Sequence, residues 1–290
     1  MSIDLTTKFQ PYVDEVFTTE SKKSLITNKD FDWTGAHTIK LYKVTTAGMN
    51  DYDRPGEKVG KTDEESQSVI LSRYGLIESL DATTEELTLK KDRSFTFAID
   101  TLDQDETAQQ LSGASALARQ QREVVIPEVD AYVYGVMTEK AGQKPAAVAL
   151  THENIYDEII KATKLLDDAE VPEDGLRTLV VTPDILLLMK KNPTISLNSD
   201  IAVDLRRKGV VAELDGLRVV KVPSSRLPKK FGFMIAHPCA TVAPTKLEQY
   251  RIHPNPPFIS GSLVEGRIVY DAFVLDNKKN AIYYQENNNV

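Results

Sequence analysis

The 290-residue chain holds one cysteine, one tryptophan and four histidines. Each scarcity removes a class of protein. A lone Cys239 excludes an internal disulfide and suits a reducing compartment. His37, His152, His237 and His253 are widely spaced, with no pair at i, i+4 and no nearby cysteine at zinc spacing. No metal site or cofactor is therefore expected. No apolar run approaches the roughly 18 residues of a membrane helix. The start, "MSIDLTTKFQ", has neither a basic nor an apolar stretch, so a secretory signal is not expected. The longest basic run is "RRK" at Arg206 to Lys208 and the formal net charge is -8. A generic nucleic-acid binder should carry a basic stripe, which is missing here. There is no G-x-S-x-G elbow and no G-x-G-x-x-G fingerprint. Internal repeats of 20 to 50 residues are also absent.

What remains is ordinary globular material, 41% hydrophobic and 27% charged. The length allows one large or two medium domains with a substantial core. Phe9, Tyr12, Val13, Val16 and Phe17 fall at helical spacing in an arm covering residues 1 to 35. Phe31 and Trp33 anchor that arm on something, since such rings are costly to leave in water. "HTIKLYKVTT" reads as a strand with apolar groups on both faces: Ile39 and Leu41 on one, Tyr42 and Val44 on the other. Ala47 to Ser66 reads as a long loop. Strand character returns in Ser68 to Leu80 and in "LTLKKDRSFTFAID", where Phe95, Phe97 and Ile99 alternate. Together these form a β-excursion of roughly 60 residues, which buries little by itself and needs a partner surface.

"DTLDQDETAQQ" starts a helix, with Asp103 or Asp105 as cap and Glu106 favoured near its positive end. An apolar stripe continues through Leu111, Ala114, Ala118, Val125, Val129, Val133 and Val136. From Gln104 to Thr138 the rod would be about 50 Å long. Pro127 predicts a kink near Val124, and a break at Ile126 is the competing expectation. Residues 150 to 240 alternate helix and short apolar strand, as an α/β unit does. Thr151 is the expected cap of the first helix, with Ile155, Ile159, Ala162 and Leu166 as its buried stripe. Thr182 caps the second, with Pro183 at its tolerated first position. "ELDG" is a turn leading into "LRVVKV", and "KFGFMIA" is a further strand. The tail is β again, two strands about the turn "DNKKN", and "QENNNV" is expected to fray.

Motifs with chemistry are few. "GEKVGKT", Gly56 to Thr62, falls one residue short of a P-loop and follows "NDYDRP" rather than a strand. "DTLDQDE" has the acid density of a calcium loop without its glycine and distal glutamate. Cys239 with a histidine and a carboxylate would make an intracellular hydrolase, but a structural cysteine is the favoured reading. Glu85 with Glu86, and Asp167 with Asp168, read as solvated surface acids.

The succession of elements resembles the major capsid protein of tailed bacteriophages, with the HK97-type fold. "YVDEVFTTESKKSLITNKDFDWTGAHTIKLYKVTTAGMNDYDR" resembles its N-terminal arm running into the extended E-loop. "LARQQREVVIPEVDAYVYGVM" resembles its spine helix, proline included. "IIKATKLLDDAEVPEDGLRTLVVTPDILLLMKKNP" resembles the start of its axial domain, and "GSLVEGRIVYDAFVLDNKKNAIYY" the closing strands of its peripheral domain. The resemblance implies an α+β fold with an arm at 1–35, the E-loop and adjoining strands at 36–99, and the spine helix and peripheral domain at 100–149. An axial α/β domain would follow at 150–240, with closing peripheral strands at 241–290.

The resemblance also implies a non-enzymatic subunit that assembles with itself, as pentamers and hexamers, into the icosahedral shell of a virion. Assembly would take place in the bacterial host cytoplasm. Expected partners are a separate scaffolding protein, a portal and packaged double-stranded DNA held by weak non-specific contact; a membrane is not among them. Alternatives of other kinds are an encapsulin-like cellular shell, a different phage structural part forming rings or tubes, and the Cys239 hydrolase.

Overall fold

The computed structural model describes residues 20–28, 31, 38–62, 68–76, 82–102, 113–195 and 210–288. Two compact units share the chain: Gly35–Thr88 forms one, and Met1–Thr34 with Leu89–Val290 forms the other. Helices accompany four sheets among the described residues, and only the five-stranded sheet is mixed, through a single parallel strand pair. The arm helix from Phe9 to Phe17, Trp33, the caps Asp103 and Asp105, Glu106 and Leu111 lie outside the described residues.

In the smaller unit, β1 (Thr38–Val44) pairs antiparallel with β2 (Ala82–Thr88). The remainder of the larger unit begins with β3 (Lys91–Asp100), on which Phe95, Phe97 and Ile99 alternate as expected. A continuous helical rod follows: α1 (Gly113–Gln120), a π-helical turn (Gln121–Val125), and α2 (Ile126–Glu139). These segments of 8, 5 and 14 residues make a rod of about 40 Å at roughly 1.5 Å per residue.

Ile126 keeps α-helical angles, φ -61° and ψ -49°, so the rod does not break before the proline. The irregularity is instead a wide turn, in which the Ile126 N–H donates to Gln121 O five residues back. Pro127 has no N–H to give the preceding turn, and a π turn accommodates its ring without ending the helix. The stripe does not run in one phase. Val129 and Val133 are buried, but Ala114 and Ala118 are exposed. The extra residue in the wide turn rotates α1 relative to α2.

The α/β region contains α3 (Ile155–Asp168), β4 (Thr178–Val181), α4 (Pro183–Lys191), β5 (Val210–Leu214), β6 (Leu217–Lys221) and β7 (Phe231–Ala236). Ile155, Ile159, Ala162 and Leu166 are all buried on one side of α3. Thr151 caps it as expected: its carbonyl accepts from Ile155 N at 3.2 Å, and Asn154, just ahead of the regular helix, already has helical angles and makes no cap bond of its own. The two side chains exchange bonds: Thr151 N donates to Asn154 Oδ1 at 2.8 Å and Asn154 N to Thr151 Oγ1 at 3.4 Å. The reciprocal pair closes a turn ahead of the helix. Thr182 does cap α4, its hydroxyl accepting from Ile185 N at 3.2 Å. β5 and β6 form a hairpin about Asp215 and Gly216, with φ 48° and 76°. Those angles match the two-residue turn whose twist suits a hairpin.

After β7 come β8 (Thr241–Val242), β9 (Thr245–Pro254), β10 (Gly261–Tyr270), β11 (Phe273–Val274) and β12 (Ile282–Glu286). The strands around "DNKKN" are not a hairpin. That stretch is a 3₁₀ turn, Asp276–Ala281. β10 lies in a three-stranded sheet of order β3-β10-β9, whereas β12 is an edge of the five-stranded sheet β12-β7-β4-β6-β5. The turn thus carries the chain from one sheet to another.

As far as it is described, to Asn288, the end expected to fray is held: Gln285 and Asn287 are buried. Gln285 Nε2 donates to Ala146 O at 2.8 Å, and Asn287 Oδ1 accepts from Leu150 N at 3.1 Å. An extended stretch bridging at Gln143 and Val148 covers the outer edge of β12. Gly232 on β7 is required there, because a Cβ would lie 2.6 Å from Gln285 O.

Candidate assembly surfaces

The core of the larger unit is drawn from every part of it. Val133, Met137, Leu166, Val181, Phe233, Ile235 and Ile282 are essentially without solvent contact. Most buried side-chain polar groups described in this unit are paired, Gln143 Oε1 and Thr241 Oγ1 being exceptions. Asp271 accepts from Tyr132 Oη at 2.7 Å, Lys90 N at 2.8 Å and Ala272 N at 2.8 Å. It ties the rod to the start of β3. Tyr270 donates to Glu128, and Glu128 also accepts from Arg93. Burial, then the Glu128 charge, pushes the Tyr270 hydroxyl up to about 12.

The smaller unit is built differently. At its base, Lys40 pairs with Glu86 at 2.6 Å and Lys43 with Glu85 at 3.0 Å. The adjacent acids are therefore cross-strand ion-pair partners, one for each lysine. Ile39 and Leu41 are half-buried, but Tyr42 and Val44 are exposed. The expected cover on both faces of β1 is missing from the chain itself, because a two-stranded ribbon offers no second layer.

Beyond the ribbon, the expected strand at Ser68 to Leu80 is absent from its described residues, where only isolated bridges occur. Instead, residues 52–62 and 69–75 knit a small tip. Asp53 N donates to Arg73 O at 2.9 Å, Gly60 N to Ile70 O at 2.8 Å and Ile70 N to Lys61 O at 2.9 Å. The rings of Tyr52 and Tyr74 meet edge to face, 5.1 Å apart. The stretch expected as a plain loop is thus internally bonded.

"GEKVGKT" sits in this tip. Its backbone donors already have an anion. Asp53 accepts from Gly56 N at 3.0 Å and from Lys58 N at 2.7 Å. The Lys58 bond first of all, joined by that of Gly56, holds the Asp53 carboxyl below the usual carboxylate range, although burial opposes it. A phosphate would have to displace a covalently tethered carboxylate, which removes the P-loop reading.

The tip and ribbon also display Met49, Leu71, Val59 and Val69 to solvent. A short unit with this many uncovered apolar groups is what an association surface looks like.

The hydrolase candidate fails on geometry. His237 Nδ1 accepts from the Cys239 backbone N at 3.2 Å, and Nε2 lies 3.1 Å from Asp174 Oδ1. With its free lone pair committed to an amide, the imidazole has nothing left to take a thiol proton. Burial pushes the half-buried Cys239 thiol up, the reverse of what a nucleophile needs. His152 and His253 lie near Glu153 and Glu265 on the surface, and His37 is outside the described residues. Asp167 pairs with the buried Arg177. Among the described residues there is no cluster of His, Cys, Asp and Glu able to hold a metal, and no helix long and apolar enough to cross a membrane.

No protein-family model matches the sequence, and no curated protein matches it either. Solved structures do. A chain of Mycobacterium phage Che8 superposes with a TM-score of 0.73 at 16% identity, covering 98% of this chain and 98% of that one. A chain from the capsid structure of cyanophage P-SCSP1u gives 0.72 at 14% identity, covering 98% and 93%. One from the mature capsid of bacteriophage PhiM1 gives 0.66 at 13%, covering 99% and 94%. The chain has the fold of phage capsid subunits, the HK97-type fold that its sequence resembles.

Proposed function

We propose, from a chain with the phage-capsid fold, that this protein is the structural subunit of the icosahedral head of a tailed phage or prophage. The observation that carries the reading is the full-length match, 98% of both chains, to a phage protein at 16% identity. A likeness over 98% of both chains supports reading the whole chain as one architecture rather than as a shared domain inside something else. In that architecture residues 1–35 are the arm, 36–99 the E-loop with its strands, and 100–149 the spine and peripheral region. Residues 150–240 form the axial domain and 241–290 the closing strands.

The role is physical, with no reacting group. Tyr42, Met49, Leu71 and Tyr74 are uncovered in the subunit. Covering them on neighbouring copies contributes roughly 25 cal/mol per Å² of apolar area, multiplied over a closed shell. Pentamers and hexamers of this chain, a separate scaffolding protein and a portal complete the assembly, in the cytoplasm of a bacterial host. A formal charge of -8 offers packaged DNA only weak, non-specific contact. Negative-stain microscopy of the purified protein, alone and with its scaffold, tests the reading. Closed particles or regular capsomers are expected; a monomer that never assembles under either condition overturns it.

A further inference from the structure

Arg226 and Asp130 form an ion pair at 2.9 Å, Nη1 to Oδ2, with residue exposures of only 5% and 1%. Asp130 projects from α2, and Arg226 ends a 3₁₀ turn after β6. The other carboxylate oxygen, Oδ1, accepts from Ser21 Oγ at 2.6 Å. Arg226 Nη1 also reaches Glu20 O at 3.5 Å, and Lys22 Nζ donates to Lys221 O at 2.8 Å. Further along, Leu25 and Ile26 are buried, and Asn28 N donates to Thr241 O at 2.7 Å. Residues 20–28 therefore lie as a strap over the body, pinned by side chains at one end and by backbone at the other.

We propose that the Asp130–Arg226 pair is a receptor for the chain's own N-terminal segment, which admits Ser21 alone and so sets the strap in one register. The charges of the flanking residues carry the argument. Asp130 and Arg226 already neutralise each other, so the free oxygen needs a donor that brings no charge. Ser21 supplies one. A slip of one residue would bring Glu20 beside a buried carboxylate; a slip the other way would bring Lys22 into a site that holds a guanidinium. Either leaves an uncompensated charge in low dielectric, which is costly. Burial of Leu25 and Ile26 opposes a slip as well, since Ser24 or Thr27 would enter an apolar site, but it penalises no charge. A buried pair contributes little to net stability compared with apolar isosteres, and register selection is a use such pairs are known for. Resting on the assembly reading, the lock fixes where residues 1–19 join the body, and hence the point from which the arm meets neighbouring copies.

Hydrogen exchange on the unassembled subunit tests the lock by itself. In Ser21→Ala, which leaves the ion pair intact, protection of the Asn28 amide should fall roughly ten- to hundredfold, the range for a hydrogen bond to a charged group. Core amides of β7 should be unchanged. In the double variant Asp130→Leu with Arg226→Met the body keeps an apolar filling and the strap is again released. Wild-type protection at Asn28 in both variants overturns the lock. Microscopy of the same variants tests its consequence: particles of mixed size are expected. A released strap with particles identical to wild type would remove the link to assembly while leaving the lock; wild-type protein that never assembles would remove the capsid reading alone.

Discussion

In the larger unit Phe233 and Met137 are fully buried, whereas in Gly35–Thr88 Leu71 and Tyr74 stand 71% and 76% exposed. The difference is one of layers. Five-stranded and three-stranded sheets have helices packed with them and bury side chains on facing surfaces. A two-stranded ribbon and a small tip have no second layer, so backbone bonds, ion pairs and one capped turn hold them instead. Stability in the first case resides in the subunit. In the second, the apolar surface waits for a partner. The same residue type therefore has different meanings in the two units, and substitution separates them.

The largest contrast comes from truncating one side chain in each. Phe233→Ala removes a buried ring between β4 and β12 and should cost about 3–5 kcal/mol of subunit stability, read from denaturant unfolding. Leu71→Ala should change subunit stability by less than about 0.5 kcal/mol, yet reduce particle yield. Equal losses of subunit stability would abolish the distinction between the units. A smaller and local effect is expected at Gly75. Its φ is +93°, and a Cβ there would lie 2.6 Å from the Asn50 side chain. Gly75→Ala should cost about 1–2 kcal/mol within the tip. Exchange protection at Gly60 and Ile70 should fall while the body's melting temperature stays put. An unchanged tip would show that its conformation does not depend on that turn.

The smallest effect is one of pH. The Asp53 carboxyl titrates below its ordinary value of 3.8 because Lys58 and Gly56 donate to it. Its contribution to the tip is therefore complete above that value and is lost as pH falls through the lowered one. NMR of the Gly56 and Lys58 amides under acid should show the tip loosening. In Asp53→Asn that acid transition should vanish. An identical transition in the variant would assign it to other groups.

Much of the larger unit was legible because its signals are local. The α3 stripe of Ile155, Ile159, Ala162 and Leu166, the Thr182 cap with Pro183, and the Asp215–Gly216 turn each need only neighbours a few residues away. The tip was not legible. Asp53 looks like any surface acid until Gly56 and Lys58 fold back onto it, and that depends on a backbone path no periodicity encodes. The Thr151 cap of α3 was legible from its residue type, but the bond that Asn154 Oδ1 returns to the Thr151 amide was not.

The candidate surface was half visible. Tyr42 and Val44 announced themselves as apolar, but an alternating pattern records only that a face is apolar, not which molecule covers it. Ser21, Asp130 and Arg226 gave no signal at all, being separated by 109 and 96 residues.

By itself, then, the sequence determined most helices and strands of the larger unit, the scarcity of reactive groups and the presence of apolar segments in the smaller one. These follow from short-range spacing and composition. The tertiary structure decided which sheet receives β12, how the rod passes Pro127 and where the N-terminal strap is held. Each of those rests on a pairing between distant residues, or on a strain relieved by a neighbouring turn, and only the folded chain brings such groups together.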